Sequence, residues 1–226
     1  MRPLLHDFAG ERVLVFGGGS VGARKARRFA REAGVVVLAP AFPGEFGDAD
    51  GAGSLELVRA APAPGDVAGW LDRVEPALAV AATDDAAVND AVERAAGERG
   101  TLVNRADRSR VDRGEARETP DADRVVVPAT VRDGPVVASV GTGGRAPALS
   151  RQLRRELEEL LDGAGELAEL TAELREELRD SPPEQRRAAV RAVVGSDAVW
   201  KALDTPDDNL RETARAVISD VTGDPG

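Results

Sequence analysis

Short apolar runs alternate with amphipathic segments through the first half of the chain. The apolar runs predict strands at 13–16, 35–39, 55–58, 77–82 and 101–103. Helical spacing predicts a helix that opens with Arg24 and Lys25 and runs to about Ala33, and further helices over 66–74 and 86–98. The runs at 35–39 and 77–82 contain no polar residue, which is typical of strands buried on both faces of a parallel sheet. We therefore predict an α/β fold, a Rossmann-like doubly wound parallel sheet.

The pattern changes after residue 107. Residues 108–123 are polar and charged and predict a loop or linker, and two β-rich runs at 124–131 and 135–140 are joined by a hairpin signal, Arg132-Asp133-Gly134. Leucines then recur at helical spacing over 148–161 and 167–178, and two more helices are predicted near 184–194 and 207–221. The predicted domains are a sheet domain over 1–112, a strand-rich segment over 113–147 and a small helical domain over 148–226.

A glycine motif stands between the first predicted strand and the first predicted helix. Gly17, Gly19 and Gly22 form G-x-G-x-x-G, with Ser20 and Val21 inside the motif. The first glycine permits a tight turn, the second lets backbone approach a pyrophosphate, and the third lets the helix pack close to the strand. Unpaired N–H groups at the helix start favour phosphate. The motif predicts a dinucleotide site; the alternative is a first turn that is glycine-rich for purely structural reasons.

Three further segments follow predicted strands at the same edge of the sheet. Pro40 and Ala41 occupy the place where many NAD sites carry an acidic residue, so the choice between NAD and NADP stays open. Thr83 and Asp84 follow the strand at 77–82 and could contact the cofactor or cap the next helix. Asn104 directly follows the last predicted strand, 101–103. Because ligands lie beyond the carboxyl ends of such strands, we expect these residues to share one crevice.

Composition narrows the classes of function. There is no cysteine and the only histidine is His6, which excludes thiolate metal sites and argues against a catalytic Ser-His-Asp triad. The formal net charge is −10, which disfavours nucleic acid as a partner. An acidic chain with only two lysines suggests a protein that works in a salt-rich cytoplasm. The sequence has no apolar run long enough to span a bilayer, which predicts no membrane association.

Four segments, in order and at matching spacing, resemble the precorrin-2 dehydrogenase family, the NAD-binding N-terminal part of siroheme synthase. They are PLLHDFAGERVLVFGGGSVGARKA near the start, AATDDAAVN at 81–89, VNRAD at 103–107 and PATVRDGPVVASVGTGGRAPALSRQLRRELE at 128–158. The resemblance implies NAD-dependent oxidation of precorrin-2 to sirohydrochlorin, in a homodimer that exchanges strands through the segment around 124–140. Some members of the family also insert ferrous iron.

The resemblance also assigns roles to single residues. It implies that Asp107 is the catalytic residue, and as a carboxylate at a strand end it could accept a proton; the alternative is a loop-capping aspartate. The substrate is a tetrapyrrole polycarboxylate, which needs cationic groups and N–H donors. The expected substrate contacts are Arg105, Thr142, Gly143, Gly144 and Arg145. A bifunctional dehydrogenase and ferrochelatase remains open, as does an NAD-responsive regulatory module without turnover.

Overall fold

Five parallel strands form the centre of the first half of the chain, with helices on both faces. The computed structural model describes residues 3–47, 53–106, 124–203 and 210–222. The strands are β1 (Arg12–Phe16), β2 (Gly34–Ala39), β3 (Ser54–Arg59), β4 (Leu78–Ala81) and β5 (Leu102–Arg105), in the spatial order β3-β2-β1-β4-β5. The helices are α1 (Ser20–Phe29), α2 (Val67–Val74) and α3 (Ala86–Gly97). The predicted doubly wound sheet is confirmed.

Alternation along β1 explains why helices cover both faces. Leu14 and Phe16 pack with α2 and α3 on one face, whereas Val13 and Val15 pack with α1 on the other. All four residues are fully buried, so β1 lies at the centre of the sheet. Its last residue, Phe16, is in register with Leu38 of β2 and with Ala81 of β4. The turns after these three strands therefore meet at one edge of the sheet.

The first helix begins and ends about four residues earlier than its sequence pattern predicts. α1 ends at Phe29, and the amides of Glu32 and Ala33 both donate to the Phe29 carbonyl in the turn that follows. Gly34, the residue after the predicted end of the helix, opens β2. The helix ends early because the chain must reverse to enter the strand beside β1.

The second unit consists of a hairpin and five helices within the described ranges. Contacts divide the chain into Met1–Val127 and Pro128–Gly226, which groups the hairpin with the helices. The elements are β6 (Ala129–Asp133), β7 (Val136–Val140), α4 (Pro147–Leu160), α5 (Ala164–Glu177), α6 (Pro183–Val194), α7 (Asp197–Leu203) and α8 (Leu210–Thr222). β6 and β7 pair antiparallel around Gly134, whose φ is 50°. No helix in these ranges combines the length and apolar character that crossing a membrane requires.

One prediction for the chain after residue 123 was wrong, and one helix was missed. The strand expected over 124–131 is interrupted: Arg124 makes one parallel bridge to Val103 of β5, and β6 begins only at Ala129. Pro128 separates the two parts because it has no N–H to donate to a ladder. Helix α7 was not predicted, since it is only seven residues long.

Candidate functional site: the carboxyl edge of the sheet

The glycine turn after β1 is tightly enclosed by backbone. Gly17 has a φ of 124°, and a Cβ built on it would lie 2.2 Å from the Ala82 carbonyl oxygen. A Cβ on Gly22 would lie 2.1 Å from the Gly17 carbonyl oxygen. Neither position can accept a side chain without moving backbone. The roles predicted for these two glycines, a tight turn and close helix packing, are confirmed.

The start of α1 lies open beside this turn. Gly19 is its N-cap, no side chain caps the helix, and no acidic residue occupies its first turn. The amides of Ser20, Val21 and Gly22 are therefore available as donors, and the helix dipole adds positive potential. A Cβ on Gly19 would meet nothing within 4 Å, so its exposed backbone can be approached closely. These features fit the pyrophosphate of a dinucleotide.

The loop after β2 packs directly on the glycine turn. A Cβ on Gly18 would lie 2.2 Å from the Ala41 carbonyl oxygen, and the Gly44 amide donates to the Gly18 carbonyl at 3.1 Å. Pro40 and Ala41 are exposed at this edge and provide backbone groups but no acidic side chain. Sequence reasoning missed that Gly18 allows this close packing. The signal was the uninterrupted run of three glycines at 17–19.

After β4, hydrogen bonds order the turn that leads into α3. The Thr83 hydroxyl lies 2.8 Å from Asn89 Oδ1, and the Asn89 amide group donates back to the Thr83 carbonyl at 2.9 Å. Asp85 caps the helix by accepting from the amides of Ala87 and Val88 at 2.8 and 3.3 Å. The helix is thus capped by Asp85, so capping, the alternative to cofactor contact for Thr83 and Asp84, does not apply to them, and the Asp84 side chain is exposed.

At the end of β5, Asn104 joins three segments of the first unit. Lys25 Nζ donates to Asn104 Oδ1 at 2.6 Å, and Asn104 Nδ2 donates to the Val125 carbonyl at 2.9 Å. Burial, together with the neighbouring charges of Arg24 and Arg28, lowers the pKa of Lys25 to about 8. Sequence reasoning named Lys25 only as part of a helix start. Its rarity, one of two lysines among 30 basic residues, was the available signal.

The pKa of Lys25 makes the stability of the protein pH-dependent. Folded Lys25 loses its proton near pH 8, whereas the unfolded side chain keeps it up to a pKa of 10.5, so the unfolded state binds more protons between these values. Relative to Lys25→Met, the unfolding free energy of the wild type should therefore rise by about 2 kcal/mol between about pH 7 and about pH 9.5. Urea unfolding at both pH values measures this difference.

The background to that measurement is small because the chain has no tyrosine and no cysteine. Lys201→Met, which removes the other lysine, is the matched control and should not reproduce the change. A difference between wild type and Lys25→Met that stays constant with pH would contradict the assignment.

Arg105 has a different environment from the one predicted. Its side chain is fully buried and its Nη1 contacts Asp90 Oδ1 at 2.5 Å and Glu93 Oε2 at 2.9 Å. Arg124 lies 3.4 Å from the second oxygen of Glu93. The guanidinium of Arg105 thus ties β5 to α3 inside the protein. Arg105 is therefore not placed as a substrate contact, because a buried, paired arginine does not reach a ligand without breaking these bonds.

In the second unit, a glycine turn precedes α4. Gly143 and Gly144 have φ values of 64° and 78°, and the Arg145 amide donates to the Thr142 carbonyl at 3.2 Å. The Thr142 hydroxyl lies 2.9 Å from Ser150 Oγ, which fixes it against the first turns of the helix. Arg145 is exposed, and α4 has no side-chain cap. Consecutive left-handed residues at a helix start form a concave group of N–H donors that suits anions.

Asp107 lies outside the described residues, so its predicted role stays a prediction. His6 is exposed and its ring centroid lies 4.4 Å from that of Phe8, a packing contact. Across the described ranges, no cluster of three or more potential metal-ligating side chains is placed to hold a metal ion.

Comparison with known proteins assigns the chain to a family. Residues 4–114 match the model of a family described as putative NAD(P)-binding. The siroheme synthase of Azotobacter vinelandii is 35% identical over 191 residues, which cover 83% of this chain and 37% of that protein. The precorrin-2 dehydrogenase of Methanosarcina barkeri is 27% identical over 223 residues, covering 96% of this chain and 93% of that protein.

A solved structure shares the fold. The structure of SirC, a precorrin-2 dehydrogenase, matches with a TM-score of 0.65 and 21% identity, covering 96% of this chain and 98% of that one. This chain therefore spans little more than a third of the siroheme synthase but nearly all of the two dehydrogenases. The chain belongs to the family that comprises the precorrin-2 dehydrogenases and the NAD-binding N-terminal part of the siroheme synthases.

Proposed function

We propose that this protein oxidises precorrin-2 to sirohydrochlorin with NAD as the hydride acceptor. The observation that carries the proposal is the open start of α1 at Gly19, an uncapped anion site on the carboxyl edge of the sheet. The family supports the reaction, since the Methanosarcina barkeri relative carries that activity in its name. An open phosphate site alone would suit many nucleotide-binding proteins, and the family narrows it to this chemistry.

The cofactor is held by backbone more than by side chains in this proposal. The amides of Ser20, Val21 and Gly22 would bind the pyrophosphate, while Gly17 and Gly19 give it room. Backbone groups at Pro40 and Ala41, and polar groups at Thr83, Asp84 and Asn104, are the proposed remaining contacts. NAD, when bound, accepts a hydride from the substrate.

We further propose that the turn at 142–145 binds substrate carboxylates. The N–H groups of Gly143 and Gly144, the Thr142 hydroxyl and the exposed Arg145 guanidinium supply donors of the kind that carboxylates require. Asp107 is the proposed base that takes the proton released when the carbon skeleton loses its hydride. The donors hold and orient the substrate, and only Asp107 moves a proton.

The test mixes the purified protein anaerobically with precorrin-2 and NAD. We expect NADH and the visible spectrum of sirohydrochlorin to appear together, in equal amounts. Ferrous iron added afterwards then shows whether the same chain also forms siroheme. A folded protein that binds NAD but forms no NADH would overturn the proposal and would favour a regulatory module that senses NAD.

We propose that the protein is a homodimer organised as 1–112 for NAD binding, 113–147 for dimerisation and 148–226 as a helical domain. The β6–β7 sheet has only two strands, which is marginal for a sheet in water, and Val131 is its only buried apolar residue. On α4, Leu149 and Leu160 are 50% and 68% exposed. Pairing with a second copy would cover such surfaces.

Light scattering after size-exclusion chromatography tests the dimer. We expect a mass of twice the 23.7 kDa of the single chain at micromolar concentration. The mass of one chain under these conditions would contradict the proposal.

We also propose that the protein works in a salt-rich cytoplasm. With a net charge of −10, carboxylates on the surface repel one another at low ionic strength, and salt screens that repulsion. We expect the melting temperature to rise by about 10 °C or more between about 0.1 M and about 2 M KCl. Thermal unfolding followed by circular dichroism measures this, and a melting temperature independent of salt would contradict the proposal.

A further inference from the structure

A cleft in the second unit is lined almost wholly by arginine. It has a volume of about 470 Å³ and lies where the C-terminal half of α5 faces α6. Its walls are Arg175 of α5 together with Arg186, Arg187, Val190 and Arg191 of α6. The volume falls within the range of small-molecule sites. None of these residues belongs to the sites proposed above.

The arginines of the cleft lack the carboxylate partners that other arginines of the same unit have. None of the four makes an ion pair among the described residues. Three glutamates of α5 pair with arginines outside the cleft. The pairs are Arg211–Glu173 at 2.5 Å, Arg179–Glu176 at 2.8 Å and Arg215–Glu177 at 3.6 Å. Among the residues that the structure describes, no carboxylate therefore pairs with the guanidinium groups of the cleft.

Backbone contacts hold two of these guanidinium groups in place. Arg186 is half-buried and its Nη1 donates to the Arg179 carbonyl at 3.0 Å. Arg191 Nε donates to the Arg187 carbonyl at 3.3 Å, one helical turn earlier. Each contact uses one donor and leaves other N–H groups of the fork available.

The four arginines of the cleft repel one another, and their clustering contrasts with the negative net charge of the chain. Arg187 and Arg191 are four residues apart on one helix, a spacing at which like charges destabilise the helix. The chain as a whole carries a net charge of −10, yet four cations converge on one cleft. A bound anion would offset this repulsion, because guanidinium groups bind carboxylate and phosphate through paired N–H donors.

We propose that this cleft binds an organic polyanion, a molecule that carries several carboxylates or phosphates on an apolar body. The charged groups would meet the guanidinium ends, while Val190 and the aliphatic stems of the arginines contact the apolar body. Two sources supply this chemistry: a tetrapyrrole polycarboxylate and a nucleoside polyphosphate. Only the first of these sources rests on the proposed function.

The test is calorimetric titration of the full-length protein with sirohydrochlorin and, separately, with adenosine triphosphate. Saturating NAD keeps the glycine turn after β1 occupied in both titrations. We expect one of the two ligands to bind a site whose affinity falls about tenfold or more in R187Q/R191Q. The charge-conserving R187K/R191K should bind with intermediate affinity, since lysine lacks the paired donors.

The matched control is R211Q/R215Q, which removes the same charge from arginines that are paired outside the cleft. Its binding should stay within about twofold of the wild type. Absence of any site sensitive to R187Q/R191Q, or an equal loss in the control, overturns the proposal. This test is independent of the test of the proposed function. A protein that forms no NADH can still bind adenosine triphosphate in the cleft, and a protein whose cleft binds neither ligand can still form NADH.

Discussion

Replacing Asp107 with asparagine is expected to lower the turnover number for precorrin-2 by about 100-fold or more. Asparagine has nearly the same shape but cannot accept a proton at the pH of the reaction, so the variant should bind both ligands and fail in proton removal. The measurement is the initial rate of NADH formation under anaerobic conditions, with the dissociation constant of NAD determined in parallel. NAD affinity should stay unchanged, which separates a defect in proton transfer from a defect in cofactor binding.

Asp112→Asn is the matched control for this variant, since it removes the same charge from the same acidic and arginine-rich segment. It should retain the wild-type turnover number. If Asp107→Asn retains it as well, Asp107 is not the base and its position at the end of the predicted strand has a structural purpose. Raised turnover of Asp107→Asn at higher pH would indicate that hydroxide can replace the missing carboxylate.

The parts of the site that follow from local sequence could be predicted, and the glycine turn is the clearest. An apolar run, a G-x-G-x-x-G and a helix start lie within one short stretch, so the turn geometry at Gly17 and Gly22 depends on residues adjacent in the chain. The parallel sheet was predictable for the same reason, because each strand is a separate apolar run. Only the boundaries shifted, as where α1 stops at Phe29.

The contacts that cross the sheet could not be predicted. Lys25 and Asn104 are 79 residues apart, and their hydrogen bond exists because the fold brings α1 against the end of β5. The orientation of Arg105 could not be predicted for the same reason. An arginine at a strand end can face a ligand or the protein interior, and here it faces the interior because it pairs with the acidic residues of α3. In neither case does the residue's own neighbourhood in the sequence carry the information.

The sequence also could not show which of several adjacent residues caps α3. Thr83, Asp84 and Asp85 are all competent to cap a helix. The cap is Asp85 because Thr83 is held by Asn89 from within α3, which sets the residue from which the helix can begin. The sequence identifies these three residues as possible caps, and only the hydrogen-bond geometry shows which of them caps the helix.

Alanine substitutions in the glycine motif should separate folding from cofactor binding. At Gly17 the backbone φ is 124° and the new Cβ would overlap the Ala82 carbonyl oxygen at 2.2 Å. Strain and overlap together should lower the unfolding free energy by about 3 kcal/mol or more, a large share of the stability of a typical domain. Urea unfolding of Gly17→Ala measures this loss directly.

Gly19→Ala should have the opposite profile. Its φ of −75° suits any residue and its Cβ would meet nothing within 4 Å, so the unfolding free energy should fall by less than about 1 kcal/mol, the cost of a poorer N-cap. The added methyl group would instead occupy the space proposed for the pyrophosphate, and the dissociation constant of NAD should rise by about tenfold or more. Fluorescence titration with NADH, which has the same pyrophosphate, measures it. The two variants add the same methyl group two residues apart, so each is the control for the other. If Gly17→Ala is unstable but Gly19→Ala is stable and binds NAD with wild-type affinity, the cofactor phosphates bind away from this turn.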